Sequence, residues 1–253
     1  MGLFDSHAHY YGKEFKDDLH EVLSSMKDNG VDYIVACPST PEQSKFCLDL
    51  SEKYPFIYAA VGIHPQDCGN FDFSEIDTIR ELSKHPKCVA IGEIGLDYFY
   101  ENHPKELQKE WFKRLCILAN EVDKPVIVHD RDAHEDTLNI LKEYKPKGVM
   151  HCYSGSAETA KELLKLGFYI SFTGVITFKN AKKAVEAAKS IPLDRLLIET
   201  DSPYLTPEPY RGKRNDSRYV KFVAQRLAEI KGVSLEEITN ITTANAKRLF
   251  GLY

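Results

Sequence analysis

Residues 125–151 begin with Pro125-Val126-Ile127-Val128-His129-Asp130-Arg131 and end with Gly148-Val149-Met150-His151. Each stretch is an apolar run of strand length that is followed directly by a histidine. Between them, the apolar residues of His134–Tyr144 recur three and four positions apart, which predicts an amphipathic helix. The order strand, helix, strand predicts a βαβ unit, whose two strands lie parallel in one sheet.

The same alternation runs through the whole chain. We expect strands at residues 3–4, 32–36, 56–61, 88–91, 125–128, 148–150, 168–172 and 195–198. We expect helices at residues 17–29, 40–53, 75–84, 104–122, 134–144, 157–166 and 180–190, with a further helical pattern over 218–249. Eight β–α units in 253 residues predict an α/β fold, namely a TIM (β/α)8 barrel in a single domain over residues 1–253.

Local signals mark several helix ends. Thr40-Pro41 and Ser156 are typical of helix starts, because a hydroxyl can cap the first turn and proline is tolerated there. Gly30, Gly148 and Gly167 follow helical runs, at positions where a glycine can take the left-handed cap.

Composition and the N-terminal residues limit the class of protein. The apolar stretches are far shorter than the roughly 20 residues of a membrane-spanning helix. Met1-Gly2-Leu3-Phe4-Asp5 shows no signal-peptide pattern, and the six cysteines include no C-x-x-C pair. We therefore expect a cytoplasmic protein with reduced thiols and no membrane association. The net charge of −5 gives no general attraction to nucleic acid, so any phosphate-binding surface must be local.

In a parallel barrel the carboxyl ends of the strands form the active face, so the residues after each apolar run can be compared. These positions are rich in metal-ligand residue types: His7, His9, Glu93, His129, His151 and Asp201. His7 and His9 are two residues apart, so both side chains can leave the first strand on the same face and chelate one ion. After the last run, Glu199 and Asp201 share a face, and one of them can bind metal while the other supports it.

These residues fit two ions better than one. Four imidazoles and two carboxylates exceed the three or four protein ligands of a tetrahedral zinc site. We therefore expect a hydrolase with two divalent ions per chain, Mg²⁺, Mn²⁺ or Zn²⁺. Glu93 and Asp201 are the candidate catalytic residues: Glu93 as the carboxylate that bridges the ions, and Asp201 as the general base for a water.

Six segments of the chain resemble the TatD family of metal-dependent deoxyribonucleases, within the wider group of amidohydrolase-like barrels. They are Asp5-Ser6-His7-Ala8-His9, Gly62-Ile63-His64-Pro65, Gly92-Glu93-Ile94-Gly95-Leu96-Asp97-Tyr98, His129-Asp130-Arg131-Asp132-Ala133, His151-Cys152-Tyr153-Ser154-Gly155 and Glu199-Thr200-Asp201-Ser202-Pro203. The resemblance runs from residue 5 to the end of the chain. It implies a distorted TIM barrel, a divalent-metal centre and hydrolysis of phosphodiester bonds, typically by an exonuclease acting on DNA.

The resemblance also implies roles for individual residues. His7 and His9 match the family's first metal pair, and His129 and His151 match the histidines of the second metal. Glu93 matches the bridging carboxylate, Asp201 the final aspartate, and His64 a histidine near the scissile phosphate.

Residues 209–215 resemble the family's basic loop. Together with Arg131, the residues Arg211, Lys213 and Arg214 would form a cationic rim that holds the phosphates of a DNA strand. We expect that strand to be single-stranded. Where the family continues with Glu-Pro, this chain has Asp216-Ser217, and either residue can cap the next helix.

Two alternatives remain open. The same ions would serve an amidohydrolase or esterase acting on a carbonyl centre, including a deacylase of aminoacyl-tRNA. The basic loop favours phosphate, and His129 stands where many amidohydrolases have a metal-bridging lysine. From a different class, the chain could be a metal-dependent binding module without turnover, which the complete ligand set argues against. We expect no obligate protein partner.

Overall fold

The structure is a computed structural model that describes residues 2–100 and 103–253. The strands of this part of the chain belong to one eight-stranded sheet, ordered as they occur in the sequence. They are β1 (Leu3–Ala8), β2 (Val31–Ala36), β3 (Ile57–Val61), β4 (Cys88–Asp97), β5 (Val126–Arg131), β6 (Gly148–Met150), β7 (Tyr169–Phe172) and β8 (Leu196–Ile198). The α-helices are α1 (Leu19–Ser24), α2 (Pro41–Lys53), α3 (Glu75–Ser83), α4 (Lys105–Glu121), α5 (His134–Tyr144), α6 (Ala157–Lys165), α7 (Lys182–Ser190), α8 (Val220–Lys231) and α9 (Leu235–Phe250).

The chain divides into two compact units, and the first comprises Met1–Ala36, Cys152–Lys161 and Tyr169–Tyr253. In this unit β1 pairs in parallel with β2, and β7 with β8. Beyond the end of β8, the amide of Asp201 donates to the carbonyl of His7 over 2.9 Å, and the amide of His9 donates to Ser202 over 2.7 Å. The segment after β8 therefore runs alongside β1, and α9 packs against both strands.

The second unit comprises Cys37–His151 and Glu162–Phe168. Here β3, β4, β5 and β6 pair in parallel, each with the next. Every residue of β4 is buried, as expected of a parallel strand that is covered on both faces. Helix α4 packs on β4 and buries Trp111 and Phe112. The two units are each compact, and the single domain remains a prediction.

The predicted strands are all present, and β4 and β5 continue beyond their apolar runs to Asp97 and Arg131. Several predicted helix starts are also confirmed. Thr40 Oγ1 accepts a hydrogen bond from the amide of Gln43, and Ser156 Oγ accepts one from the amide of Thr159. Asp216 caps the short 3-10 turn that leads into α8, since its side chain accepts from the amide of Arg218.

The expected helix over residues 17–29 is wrong in extent, because α1 ends at Ser24 and a separate 3-10 turn covers Lys27–Asn29. At this break, Ser25 Oγ donates to the carbonyl of Val22 over 2.7 Å, and Asn29 Nδ2 donates to that of Ser25 over 2.9 Å. Side chains that bond nearby carbonyls in this way compete with the helical hydrogen bonds.

Two other local expectations differ from the structure. Gly148 is not a helix cap but lies in β6, and the left-handed position after α5 is occupied by Lys145 with φ of 50°. The pattern over 218–249 is two helices, because Gly232 adopts a left-handed φ of 68° and ends α8. No helix of the described residues is long and apolar enough to cross a membrane.

Candidate metal centre

The first unit brings His7, His9 and Asp201 together. His7 lies in β1, His9 follows two residues later, and Asp201 lies on the segment that runs alongside them after β8. The two imidazole Nε2 atoms are 3.0 Å apart. Asp201 Oδ1 lies 3.2 Å from His9 Nε2 and 3.7 Å from His7 Nε2. We call these three residues the first cluster.

The first cluster fits a divalent ion by its donor set and its spacing. Its three ligand atoms all lie within 4.8 Å of one another. Ligands that sit about 2.0–2.2 Å from a common ion are separated by distances of this size. Two imidazoles with one carboxylate suit Zn²⁺ and Mn²⁺.

Buried hydrogen bonds hold the backbone of the first cluster. Asp5, which is fully buried, accepts from the amide and hydroxyl of Thr200 over 2.9 and 2.6 Å and from the amide of His7 over 3.3 Å. Burial raises the pKa of Asp5 to about 7, although these hydrogen bonds act in the opposite direction. Asp5 therefore connects the strand that carries His7 to the segment that carries Asp201.

The two carboxylates after β8 have different surroundings in the structure. Glu199 Oε1 accepts from the amide of Cys152 over 2.6 Å, and its Oε2 accepts from Ser6 Oγ over 3.3 Å. Asp201, by contrast, faces the two histidines. Of the two alternatives that the sequence left open, Asp201 is thus the candidate ligand and Glu199 the supporting group.

The second unit brings Glu93, His129 and His151 together, which we call the second cluster. Glu93 Oε1 lies 2.8 Å from His129 Nδ1 and 2.8 Å from His151 Nε2. Glu93 comes from β4, His129 from the neighbouring β5, and His151 follows β6. Glu93 is 3% exposed, and a carboxylate buried to this degree requires a positive charge or a proton close by. A divalent ion would meet that requirement.

His64 lies beside the second cluster, with Nε2 at 3.4 Å from Glu93 Oε1. The amide of Gln66 donates to His64 Nδ1 over 3.1 Å, so a neutral His64 carries its proton on Nε2. Burial lowers the pKa of His64, which favours this neutral form. A metal ligand needs a nitrogen without a proton, so His64 suits hydrogen-bond donation better than ligation.

Asp97 is a member of the site that the sequence interpretation did not assign. Its Oδ2 lies 3.0 Å from His129 Nε2 and accepts from Gln66 Nε2 over 2.8 Å. Burial alone would lower the pKa of His129, but the hydrogen bonds with Asp97 and Glu93 outweigh burial and raise it to about 9. A signal was available, because Asp97 is four residues after Glu93 in the same strand and therefore shares its face.

The predicted phosphate-binding arginines have different surroundings. Arg131 is exposed at the end of β5, with its guanidinium 3.9 Å from the ring centroid of Phe99. In the first unit, Arg211 is exposed and lies over Phe178 at 4.2 Å. Arg214 donates to both carboxylate oxygens of Asp18 over 2.8 and 2.6 Å. The structure thus leaves Arg131 and Arg211 accessible, whereas Arg214 is engaged with Asp18.

Comparisons with known proteins agree with this fold. A family model described as TatD related DNase matches residues 4–251. An uncharacterized metal-dependent hydrolase of Bacillus subtilis strain 168, YabD, is 51% identical over 98% of both chains. Another from Escherichia coli strain K12, YcfH, is 42% identical over 99% of this chain and 96% of its own length. The crystal structure of YjjV, a TatD homologue from Escherichia coli K12, superposes with a TM-score of 0.94 at 29% identity, covering 99% of this chain and 98% of that one.

The fold is therefore a TIM barrel, as the alternation of strands and helices predicts. Within that fold class, the chain belongs to the TatD family. Its relatives YabD and YcfH are described as metal-dependent hydrolases.

Proposed function

We propose that the protein is a divalent-metal-dependent deoxyribonuclease that hydrolyses phosphodiester bonds of single-stranded DNA from an end. The observation that carries the proposal is the presence of two groups of imidazoles and carboxylates at short range. The ligand atoms of His7, His9 and Asp201 lie within 4.8 Å of one another, and those of Glu93, His129 and His151 within 3.4 Å. The description of the matching family as TatD related DNase supports the substrate. A cytoplasmic location is part of the proposal.

We assign one ion, Mg²⁺, Mn²⁺ or Zn²⁺, to each cluster. His7, His9 and Asp201 would hold the first, and Glu93, His129 and His151 would hold the second. Such ions would supply Lewis-acid activation of a water and neutralise charge on the phosphoryl oxygens. The role of Glu93 as a bridge between the ions remains a prediction from the sequence.

The protein's own residues have separable tasks in this proposal. Asp201 accepts the proton of the attacking water on its carboxylate, as a general base. His64 donates a hydrogen bond from Nε2 to the scissile phosphate, consistent with the hydrogen bond that its Nδ1 accepts from the Gln66 amide. Arg131 and Arg211 bind phosphates of the strand through charge-assisted hydrogen bonds.

A digest of single- and double-stranded oligonucleotides, labelled at the 5′ or the 3′ end, tests the proposal. We expect metal-dependent ladders from the single strands that EDTA abolishes. The variant His7→Ala/His9→Ala should lose this activity. His85→Ala is the matched control, because His85 lies on the surface beside Glu52. Rapid turnover of a carboxylic ester or an aminoacyl ester, with no cleavage of DNA, would contradict the nuclease proposal. That result would identify the protein as an esterase or a deacylase.

A further inference from the structure

Two exposed aromatic residues follow β4 directly. Phe99 is 54% exposed and Tyr100 is 43% exposed, with their ring centroids 4.9 Å apart and the rings edge to face. Large apolar side chains with this much exposure lose the benefit of burial, so two in succession mark a surface for binding. Arg131, from the end of β5, places its guanidinium 3.9 Å from the centroid of Phe99 and 5.1 Å from that of Tyr100. We call Phe99, Tyr100 and Arg131 the aromatic clamp.

The backbone of the aromatic clamp is fixed by Asp97, the carboxylate that also contacts His129 of the second cluster. Asp97 Oδ1 accepts from the amides of Phe99 and Tyr100 over 3.0 and 3.1 Å. Its other oxygen, Oδ2, lies 3.0 Å from His129 Nε2. In addition, the amide of Tyr98 donates to the carbonyl of Arg131 over 2.9 Å. The clamp is therefore held at a defined distance from His129, one of the proposed metal ligands.

Flat aromatic rings and a guanidinium plane beside a site proposed to hydrolyse phosphodiester bonds are suited to binding nucleobases. Nucleobases stack on aromatic side chains and on arginine, and stacking does not depend on the identity of the base. A base that is paired within a duplex has its faces covered by neighbouring base pairs, so only an unstacked base can enter the clamp. A stacked guanidinium also keeps its N–H groups at its edge, where they can donate to a phosphate.

We propose that Phe99, Tyr100 and Arg131 form a nucleobase-stacking subsite that selects single-stranded or frayed ends as the substrate. The inference rests on the proposed function for the identity of the ligand as a nucleic-acid strand. It adds a reason for strand selection that the metal clusters do not provide, since phosphate contacts alone carry no preference for unpaired bases.

The test compares binding of a normal single-stranded oligonucleotide with that of an abasic strand of the same length. Fluorescence anisotropy in the presence of EDTA measures affinity without cleavage, so the result does not depend on turnover. We expect wild-type protein to prefer the strand that carries bases. In Phe99→Ala/Tyr100→Ala this preference should fall by roughly 5- to 150-fold, the range expected for the loss of base stacking. The exchange Phe99→Tyr/Tyr100→Phe should retain it.

Phe73→Ala is the matched control, because Phe73 is 36% exposed and also stacks with an arginine, Arg114, at 4.2 Å. This variant should keep the preference. If Phe99→Ala/Tyr100→Ala binds both strands as wild type does, or if wild type shows no preference for bases, the subsite is refuted. A change in the oligomeric state of Phe99→Ala/Tyr100→Ala, with unaltered strand binding, would also refute the subsite. That result would show that the aromatic clamp serves self-association. Failure of the proposed function would appear separately, as binding of strands without their cleavage.

Discussion

Asp97 Oδ2 lies 3.0 Å from His129 Nε2, on the side of the imidazole away from Glu93. The ring is therefore held between two carboxylates, with Nδ1 directed at Glu93. Carboxylates that bond the second nitrogen of a ligand histidine fix the ring's orientation and raise its basicity. This pair connects the proposed second ion to the residues that follow β4.

Replacing Asp97 with asparagine should weaken the second ion without removing any ligand. We expect metal affinity at this cluster to fall by about 10- to 100-fold, because a supporting partner of a ligand histidine is lost. Isothermal titration calorimetry of the metal-free protein with Mn²⁺ measures the change. Asp130→Asn is the control, since Asp130 pairs with His134 outside the cluster, at 2.8 Å. Equal losses in both variants would contradict a specific role for Asp97.

Asp201→Asn tests the assignment of the general base. The amide keeps a carbonyl oxygen for coordination but cannot take a proton. We expect kcat to fall by about 10²- to 10⁴-fold, the contribution of a positioned base. Metal content is measured in the same sample by atomic emission. A variant that retains both ions and full turnover would show that another group accepts the proton.

Gly95→Ala should disturb the second cluster through the backbone. Gly95 pairs with His129 across β4 and β5, has a φ of 141°, and a Cβ there would overlap the carbonyl oxygen of His129. We expect a loss of about 1–3 kcal/mol in the free energy of unfolding, as for other overpacked sites. Urea denaturation measures it, with Gly167→Ala as a comparison. Apart from its chain neighbours, no described residue has an atom within 4 Å of a Cβ at that left-handed glycine. If the two variants lose equal stability, backbone conformation alone accounts for the effect.

The candidate ligand residues could be proposed from the sequence because each is a distinctive residue type placed after an apolar run. The partners of those residues could not. The contact between Asp97 and His129 requires β4 to continue past Gly95 in register with β5, which the apolar pattern ending at Ile91 does not show. The ion pair of Arg214 could not be predicted from the sequence either, because its partner Asp18 is 196 residues away in the chain. A local basic pattern cannot reveal such a partner.

The pair of Arg214 and Asp18 predicts a pH-dependent contribution to stability. The hydrogen bond and charge of Arg214 lower the pKa of Asp18. This contribution is therefore present above the unfolded pKa of about 3.9 and is lost as the pH falls through the lower folded value. Arg214→Gln should unfold at lower urea than wild type at pH 7, and the difference should shrink below about pH 4. Arg211→Gln is the control. A difference that is the same at pH 7 and pH 3 would contradict the ion pair.

If each cluster holds its own ion, anomalous diffraction from crystals grown with Mn²⁺ will locate both ions. We expect two anomalous peaks per chain, one at His7, His9 and Asp201 and the other at Glu93, His129 and His151. In His7→Ala/His9→Ala only the second peak should remain. A single peak in the wild-type protein, or peaks away from these side chains, would show that the two clusters do not each hold an ion.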